Sequence, residues 1–346
     1  MIVFGMYMKN NFLMINHNKV ENYVLYGGVD KLFLIDFKFS YRDNFCYRLI
    51  TSRKTSFWIP KKLKNVIVPK VKKYADRKSI KAFDKLFENS EELNNLNCII
   101  ICARVFEYFG ISIVDYVREK YPDCKIVTYL ADVLSSFLVT EDDFNRAFDK
   151  VYSFDKSECR KYGFTYCLEP YSYQITEKLF GSDFDVVPQY DVTFIGAAKD
   201  RLDDILSVYE KLKVHNLKLD FWIFGVKKED QKYKDEIHYN EYLSFEDFIR
   251  HTLNARCTFE ALQKNGSSPT TRFSMCMLYK RKLLTNCTEL LDSEWSDAMA
   301  TGNIQVYKDM ETIDFKWIKK DCEYDNQKFI ERFSTDRMIE TIDSTL

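Results

Sequence analysis

Apolar and polar positions alternate along this chain in blocks, short β-branched or aromatic runs followed by stretches with helical spacing. In the first half the strand-like runs are residues 11–15, 31–37, 97–102, 125–130 and 148–154. Between them, helical spacing is read over 19–26, 79–89 and 106–120, and a short helix over 155–161. Strand–helix–strand order of this kind implies parallel pairing. Residues 166–188 hold Pro170, Gly181 and Pro188 with little periodicity, as a crossing between domains does.

The second half repeats the alternation. Its strands are 191–195, 219–224, 257–259 and 282–285, and its helices 202–212, one capped by Ser244 and running to Leu253, and one opened by Thr270 or Thr271 and running to Tyr279. A further helix is read over 325–333. The expected fold class is α/β, with two Rossmann-like, doubly wound domains facing a cleft. The expected boundaries are 1–170 and 171–325, with a C-terminal segment, 326–346, packing back on the first domain.

Composition narrows this. At 346 residues, 46% hydrophobic and 16% aromatic, two cores are affordable. Lys and Arg total 51 against 52 Asp and Glu, so there is no global pull toward nucleic acid, and no nucleic-acid partner is expected. The cationic run at 54–73 reads as a solvated face or as a surface for phosphate or anionic lipid. Ten cysteines without a CxxC pair imply a reducing, cytoplasmic compartment. The N-terminal stretch is too broken by Lys and Asn for a signal peptide. The most apolar stretch, 98–117, carries Arg104, Glu107 and Asp115, so no transmembrane helix is expected, although peripheral membrane contact stays open.

The clearest chemical signal is residues 190–210, YDVTFIGAAKDRLDDILSVYE. A strand, the small turn at Gly196 and a helix N-terminus form an anion site, with Lys199 and Arg201 as cationic partners. An ordinary βα connection with solvated charges is the plain alternative. A second signal is the loop 266–272, where Thr270, Thr271 and Arg272 are suited to phosphate oxygens and Arg272 to a bidentate grip. Asp132, after a strand, reads either as a base for an attacking hydroxyl or as a helix N-cap. His17 reads either as a second such base, at the strand edge where open sheets bind ligands, or as a structural histidine, and Asp155 as an N-cap.

The segments YLADVLSS, FDKVYSFDKSECRKYGF, DVTFIGAAKDR and FEALQKNGSSPTTRFSMCMLYKRKLLTN, in this order over 99–286, resemble bacterial GT-B-type glycosyltransferase-like proteins of capsular polysaccharide and lipopolysaccharide biosynthesis. The resemblance implies a metal-independent hexosyltransferase with no cofactor. It implies a UDP- or GDP-sugar donor and a carbohydrate or lipid-linked acceptor, used in the cytoplasm at the inner face of the membrane. By position it assigns Gly196, Lys199, Arg201, Glu260, Thr270, Thr271 and Arg272 to the nucleotide sugar, and Asp132 to the acceptor side. Three positions depart from the pattern: Ala131 where Trp is usual, Pro269 where Gly is usual, and Met275 where a glutamate that holds donor hydroxyls is expected. Met275 therefore also motivates a catalytically degenerate scaffold. A rival within the enzymes, a metal-dependent GT-A transferase, rests on the DxD string Asp183-Phe184-Asp185.

Overall fold

The computed structural model describes residues 11–16, 19–30, 32–36, 84, 96–181, 187–321 and 323–346. They fall into two units, Met1–Pro170 with Thr335–Leu346, and Tyr171–Ser334. Each unit carries one six-stranded sheet, and every strand pairing is parallel. The α/β class and the two Rossmann-like halves expected from the block pattern are those observed.

The first unit runs β1 (Phe12–Asn16), α1 (Lys19–Tyr26), β2 (Leu32–Asp36), β3 (Cys98–Cys102), α2 (Ala103–Phe109), α3 (Ile111–Lys120), β4 (Lys125–Leu130), α4 (Glu141–Ala147), β5 (Lys150–Ser153), α5 (Lys156–Tyr162) and β6 (Thr165–Tyr166). The sheet order is β2-β1-β3-β4-β5-β6. Strand β3, CIIIC, is buried at every position, so its pattern is a continuous apolar run rather than an alternation. The single helix expected over 106–120 is two helices. Gly110 sits at φ 67, a left-handed conformation that ends α2 and turns the chain into α3. Asp155 caps α5, accepting from the Glu158 backbone N–H at 3.0 Å.

The second unit runs α6 (Tyr173–Phe180), β7 (Tyr190–Ala197), α7 (Leu202–Val214), β8 (Leu219–Phe224), β9 (His238–Tyr239), α8 (Phe245–Leu253), β10 (Ala255–Glu260), α9 (Thr271–Tyr279), β11 (Lys282–Thr285), α10 (Ser296–Met299), β12 (Ile304–Val306), α11 (Phe315–Ile318) and α12 (Gln327–Arg332). Its sheet order is β12-β11-β10-β7-β8-β9. The stretch expected as a bare crossing thus contains α6, and the C-terminal segment divides. Helix α12 belongs to the second unit, and α13 (Thr335–Thr345) to the first. There the Thr335 hydroxyl donates to the Leu25 carbonyl at 3.1 Å, and Thr345 bonds the Tyr152 hydroxyl at 2.8 Å.

Phe194, Phe221 and Phe259, from β7, β8 and β10, are fully buried with ring centroids 5.6–6.3 Å apart, the centre of the second core. Successive side chains on β8 point to opposite faces, so Asp220 lies on the other face from Phe221, and both are buried. There the His251 ring of α8 donates to the buried Asp220 carboxylate at 2.7 Å. That bond raises the histidine pKa above its ordinary value, against the lowering by burial. A group with a raised folded pKa contributes stability below its unfolded pKa and loses it as pH rises through the folded value. The expected result is that His251→Gln lowers the denaturation midpoint at pH 6 more than at pH 9. Equal losses at both values would mean that the ring acts by packing alone.

Candidate functional site

Each sheet has one point where its strand order reverses, between β1 and β3 in the first unit and between β7 and β10 in the second. In open parallel sheets the crevice beyond the carboxyl ends of the strands at such a point is where ligands bind. Polar side chains gather at both points.

In the second unit, β7 ends at Gly196-Ala197 and β10 at Glu260, side by side. The turn after β7 places the exposed Lys199 at φ 47, and α7 begins at Leu202. The loop after β10 returns to α9, whose N-cap Thr270 accepts from the Arg272 backbone N–H. That loop is tied down along its length. The Leu262 N–H donates to Asn286 Oδ1 at 2.7 Å, the Lys264 N–H to Asp200 Oδ2 at 3.2 Å, and the Ser268 hydroxyl to Glu289 at 2.6 Å. Two helix N-termini are thus held at adjacent strand ends, where free N–H groups and the helix dipoles favour negative charge.

The residues singled out by sequence take different jobs there. Arg272 reaches back over the end of β7: its guanidinium donates to the Ile195 carbonyl and lies 5.6 Å from the centre of the Phe194 ring. A methyl group on Gly196 would stand 2.5 Å from Arg272 Nη2, so the absent side chain is what admits the guanidinium. Gly196 and Arg272 are one feature. Arg201 is buried and turns inward, donating to the Ala197 carbonyl at 3.2 Å and to the Ala261 carbonyl, which ties the two strand ends together. Glu260 is fully buried, and its carboxylate accepts from the Thr285 hydroxyl at 2.7 Å and from the Thr270 hydroxyl. It braces β11 and the α9 cap. Thr271 is partly exposed at the first position of α9. Met275 is fully buried on the same helix, part of the core.

In the first unit a cavity of about 200 Å³ lies at the reversal point, lined by Asn16 of β1, Arg104 just after β3, Asp132 after β4, and the rings of Tyr26, Tyr129 and Phe137. Asp132 does not cap an α-helix. A short 3₁₀ turn, Leu134–Ser136, follows it, and its carboxylate accepts from the Val133 N–H at 2.9 Å and pairs with Arg104 at 3.3 Å. The Arg104 guanidinium also bonds Glu107 at 2.9 Å and the Ser136 carbonyl at 3.1 Å, with the Phe137 ring centre 4.2 Å away.

Two more carboxylates hold the same loop, Glu107 at the Leu138 N–H and Glu158 at the Leu134 N–H, both at 2.6 Å. Burial pushes the Glu158 carboxyl up to about 7. The Leu134 N–H opposes the shift, and Asp155 and Asp132 add to it. The sequence reading missed Arg104, Glu107 and Glu158 as site residues. A charged residue in the first turn of the helix that follows a fully apolar strand, as Arg104 is, was the available signal.

His17, the DxD string at 183–185 and the cationic run at 54–73 lie outside the described residues. Among the described residues no group of three or more His, Cys, Asp or Glu side chains could hold a metal ion, and no helix is long and apolar enough to cross a membrane.

No protein-family model matches the chain, and no curated protein matches it in sequence. Solved structures do. UDP-GlcNAc 2-epimerase from Neisseria meningitidis, bound to UDP-GlcNAc, is 9% identical, with 96% of this chain and 98% of that one covered at a TM-score of 0.51. A glycosyltransferase from Rickettsia africae ESF-5 is 11% identical, with 97% and 98% covered at 0.46. An α-glucosyltransferase in complex with UDP and a mismatched DNA is 9% identical, with 96% and 94% covered at 0.43. The likeness to the epimerase, spanning nearly all of both chains, is one of fold: two parallel-sheet α/β halves in one chain.

Proposed function

We propose that this protein is a glycosyltransferase that moves a sugar from a nucleotide diphosphate sugar to an acceptor hydroxyl. The observation that carries the reading is the Gly196–Arg272 contact at the reversal point of the second sheet, flanked by the N-termini of α7 and α9. The diphosphate is assigned to that edge, with Gly196, Lys199, Thr271 and Arg272 facing it. Arg201, Glu260 and Thr270 hold the edge in shape. The neighbour of like fold was solved with a UDP-sugar, which makes UDP-sugars the first donors to try, with GDP-sugars next.

Asp132 is assigned the acceptor side. Its carboxylate takes the proton of the acceptor hydroxyl, whose oxygen attacks the anomeric carbon as the bond to the diphosphate breaks. Charge gathers on the departing phosphate oxygen, where Arg272 and the helix N-termini oppose it. The resemblance in sequence supports a setting in cell-surface polysaccharide synthesis at the cytoplasmic side of the membrane, without a metal.

Titration with UDP and UDP-sugars, with and without EDTA, tests the reading, as does assay of the products. Transfer to an added acceptor supports it. Conversion of the donor sugar with no acceptor present would replace it by an epimerase reading. The buried Met275 favours a second reading, a non-catalytic binding protein, because a thioether cannot accept hydrogen bonds from donor hydroxyls as a carboxylate does. Nucleotide binding without any turnover would select that reading. Gly196→Ala displaces the Arg272 guanidinium and is expected to weaken UDP binding by about tenfold, or about 1.4 kcal/mol. Unchanged affinity would remove Gly196 from the site.

A further inference from the structure

Asp132 and Glu158 take hold of successive amides in one short loop. The Val133 N–H donates to Asp132 Oδ1 at 2.9 Å, and the Leu134 N–H to Glu158 Oε1 at 2.6 Å. Val133 is the N-cap of the 3₁₀ turn Leu134–Ser136, and its own side chain makes no capping bond. Glu158, 24 positions on and in the first turn of α5, supplies one instead. It thereby fixes the peptide next to the one that holds the Asp132 carboxylate.

A cap alone does not call for a charge. Glu158 is 6% exposed, and its Oε2 is buried with no hydrogen-bond partner among the described residues. Facing the carboxyl group are the Leu134 N–H and Asp132 from the loop after β4, Ser153 from β5, and Asp155 ahead of α5. Cys159 and the exposed Lys161, on the same helix, feel its charge, but no cation pairs with it among the described residues. Glutamine would offer Leu134 the same oxygen without the cost of a buried charge. Repulsion between like charges is mutual, so an ionised Glu158 makes Asp132 hold a proton more firmly.

We propose that Glu158 is a positioning residue for acceptor deprotonation: it fixes the backbone that presents the Asp132 carboxylate, and its negative charge makes that carboxylate the stronger base. Glu158 touches no substrate in this role. The proton of the acceptor hydroxyl goes to Asp132, and Glu158 acts through the loop and through its charge. Ionisation strengthens both the bond to Leu134 and the pull of Asp132 on the proton. The inference rests on the assignment of Asp132 as the base and adds to it a second residue and a pH dependence.

Two measurements on the full chain test it. In the first, kcat/KM for the acceptor is followed from pH 5.5 to 8.5 in the wild type, Glu158→Gln and Glu158→Ala. The ratio of wild type to the glutamine variant is expected near one at pH 5.5 and roughly two- to fivefold at pH 8.5. The alanine variant, which also loses the cap, should fall below both at every pH. The second measurement needs no turnover: ¹³C NMR of protein labelled at the aspartate carboxyls. The Asp132 resonance is expected to shift as Glu158 ionises near pH 7, and to lose that step in Glu158→Gln. An Asp132 resonance indifferent to Glu158→Gln overturns the inference, as does a rate ratio that stays constant with pH. If no donor and acceptor give transfer, the reading of Asp132 as a base falls and the positioning role with it. Transfer that ignores Glu158→Gln overturns the positioning role alone.

Discussion

Arg272→Ala is expected to lower the rate of sugar transfer by roughly 10²–10³-fold while the protein stays folded, the size of loss seen when one preorganised donor to a developing anion is removed. The side chain is only partly buried, and it touches the Ile195 carbonyl and the face of Phe194. Neither is a brace on the scale of the Arg201 or Glu260 bonds. The loss should therefore appear in turnover and in UDP affinity, with little change in melting temperature. Arg272→Lys should recover only part of it, because an ammonium cannot reproduce a bidentate grip. Arg201→Ala is the contrasting variant. Its guanidinium holds the carbonyls of Ala197 and Ala261, so it should lower the melting temperature as well as activity. Transfer at the wild-type rate in Arg272→Ala would end the donor-site assignment.

Glu158→Gln is expected to stabilise the protein above pH 7 by up to roughly 3 kcal/mol and to do little below pH 4.5. The sign follows from the raised carboxyl. Burial holds the folded pKa at about 7 against an ordinary 4.5, so between these values the folded state binds more protons than the unfolded one. Stability therefore falls as pH rises through that window, and the full cost of the buried charge is present above it. Glutamine removes the charge and keeps a carbonyl oxygen for the Leu134 N–H, which is 2.6 Å from the carboxylate in the wild type. Chemical denaturation of both proteins at pH 4.5, 6, 7 and 8.5 reads the effect directly. Parallel pH profiles would mean that Glu158 titrates normally. The Leu134 bond lies in the loop that carries Asp132, so the same pH range should also alter the turnover that Asp132 is assigned to support.

The strand and helix blocks were legible because their information is local. Runs such as CIIIC in β3 and VTFI in β7 announce buried parallel strands, and Asp155, Ser244 and Thr270 stand at the caps where their side chains accept backbone N–H groups. Those blocks suffice for the α/β class and for two repeats of it. They also place Gly196 at the carboxyl end of β7 and Arg272 in the first turn of the helix after β10, at the edge where ligands bind.

What each of those residues does there was decided by tertiary structure. Arg201 and Arg272 look alike in sequence, each beside a turn and a helix start. The pairing of β7 with β10 puts Ala261 within reach of one guanidinium and the end of β7 beneath the other. The family resemblance assigns Glu260 to the donor, but Thr285, 25 positions on, takes one of its oxygens because β11 lies beside β10. The same holds for Asp132 and Arg104, which are 28 residues apart and meet because β3 and β4 are neighbours. Periodicity and capping depend on the next few residues, so a single sequence reveals them. Side-chain partners depend on which strands are adjacent and in what register, and that is settled only when the two sheets assemble.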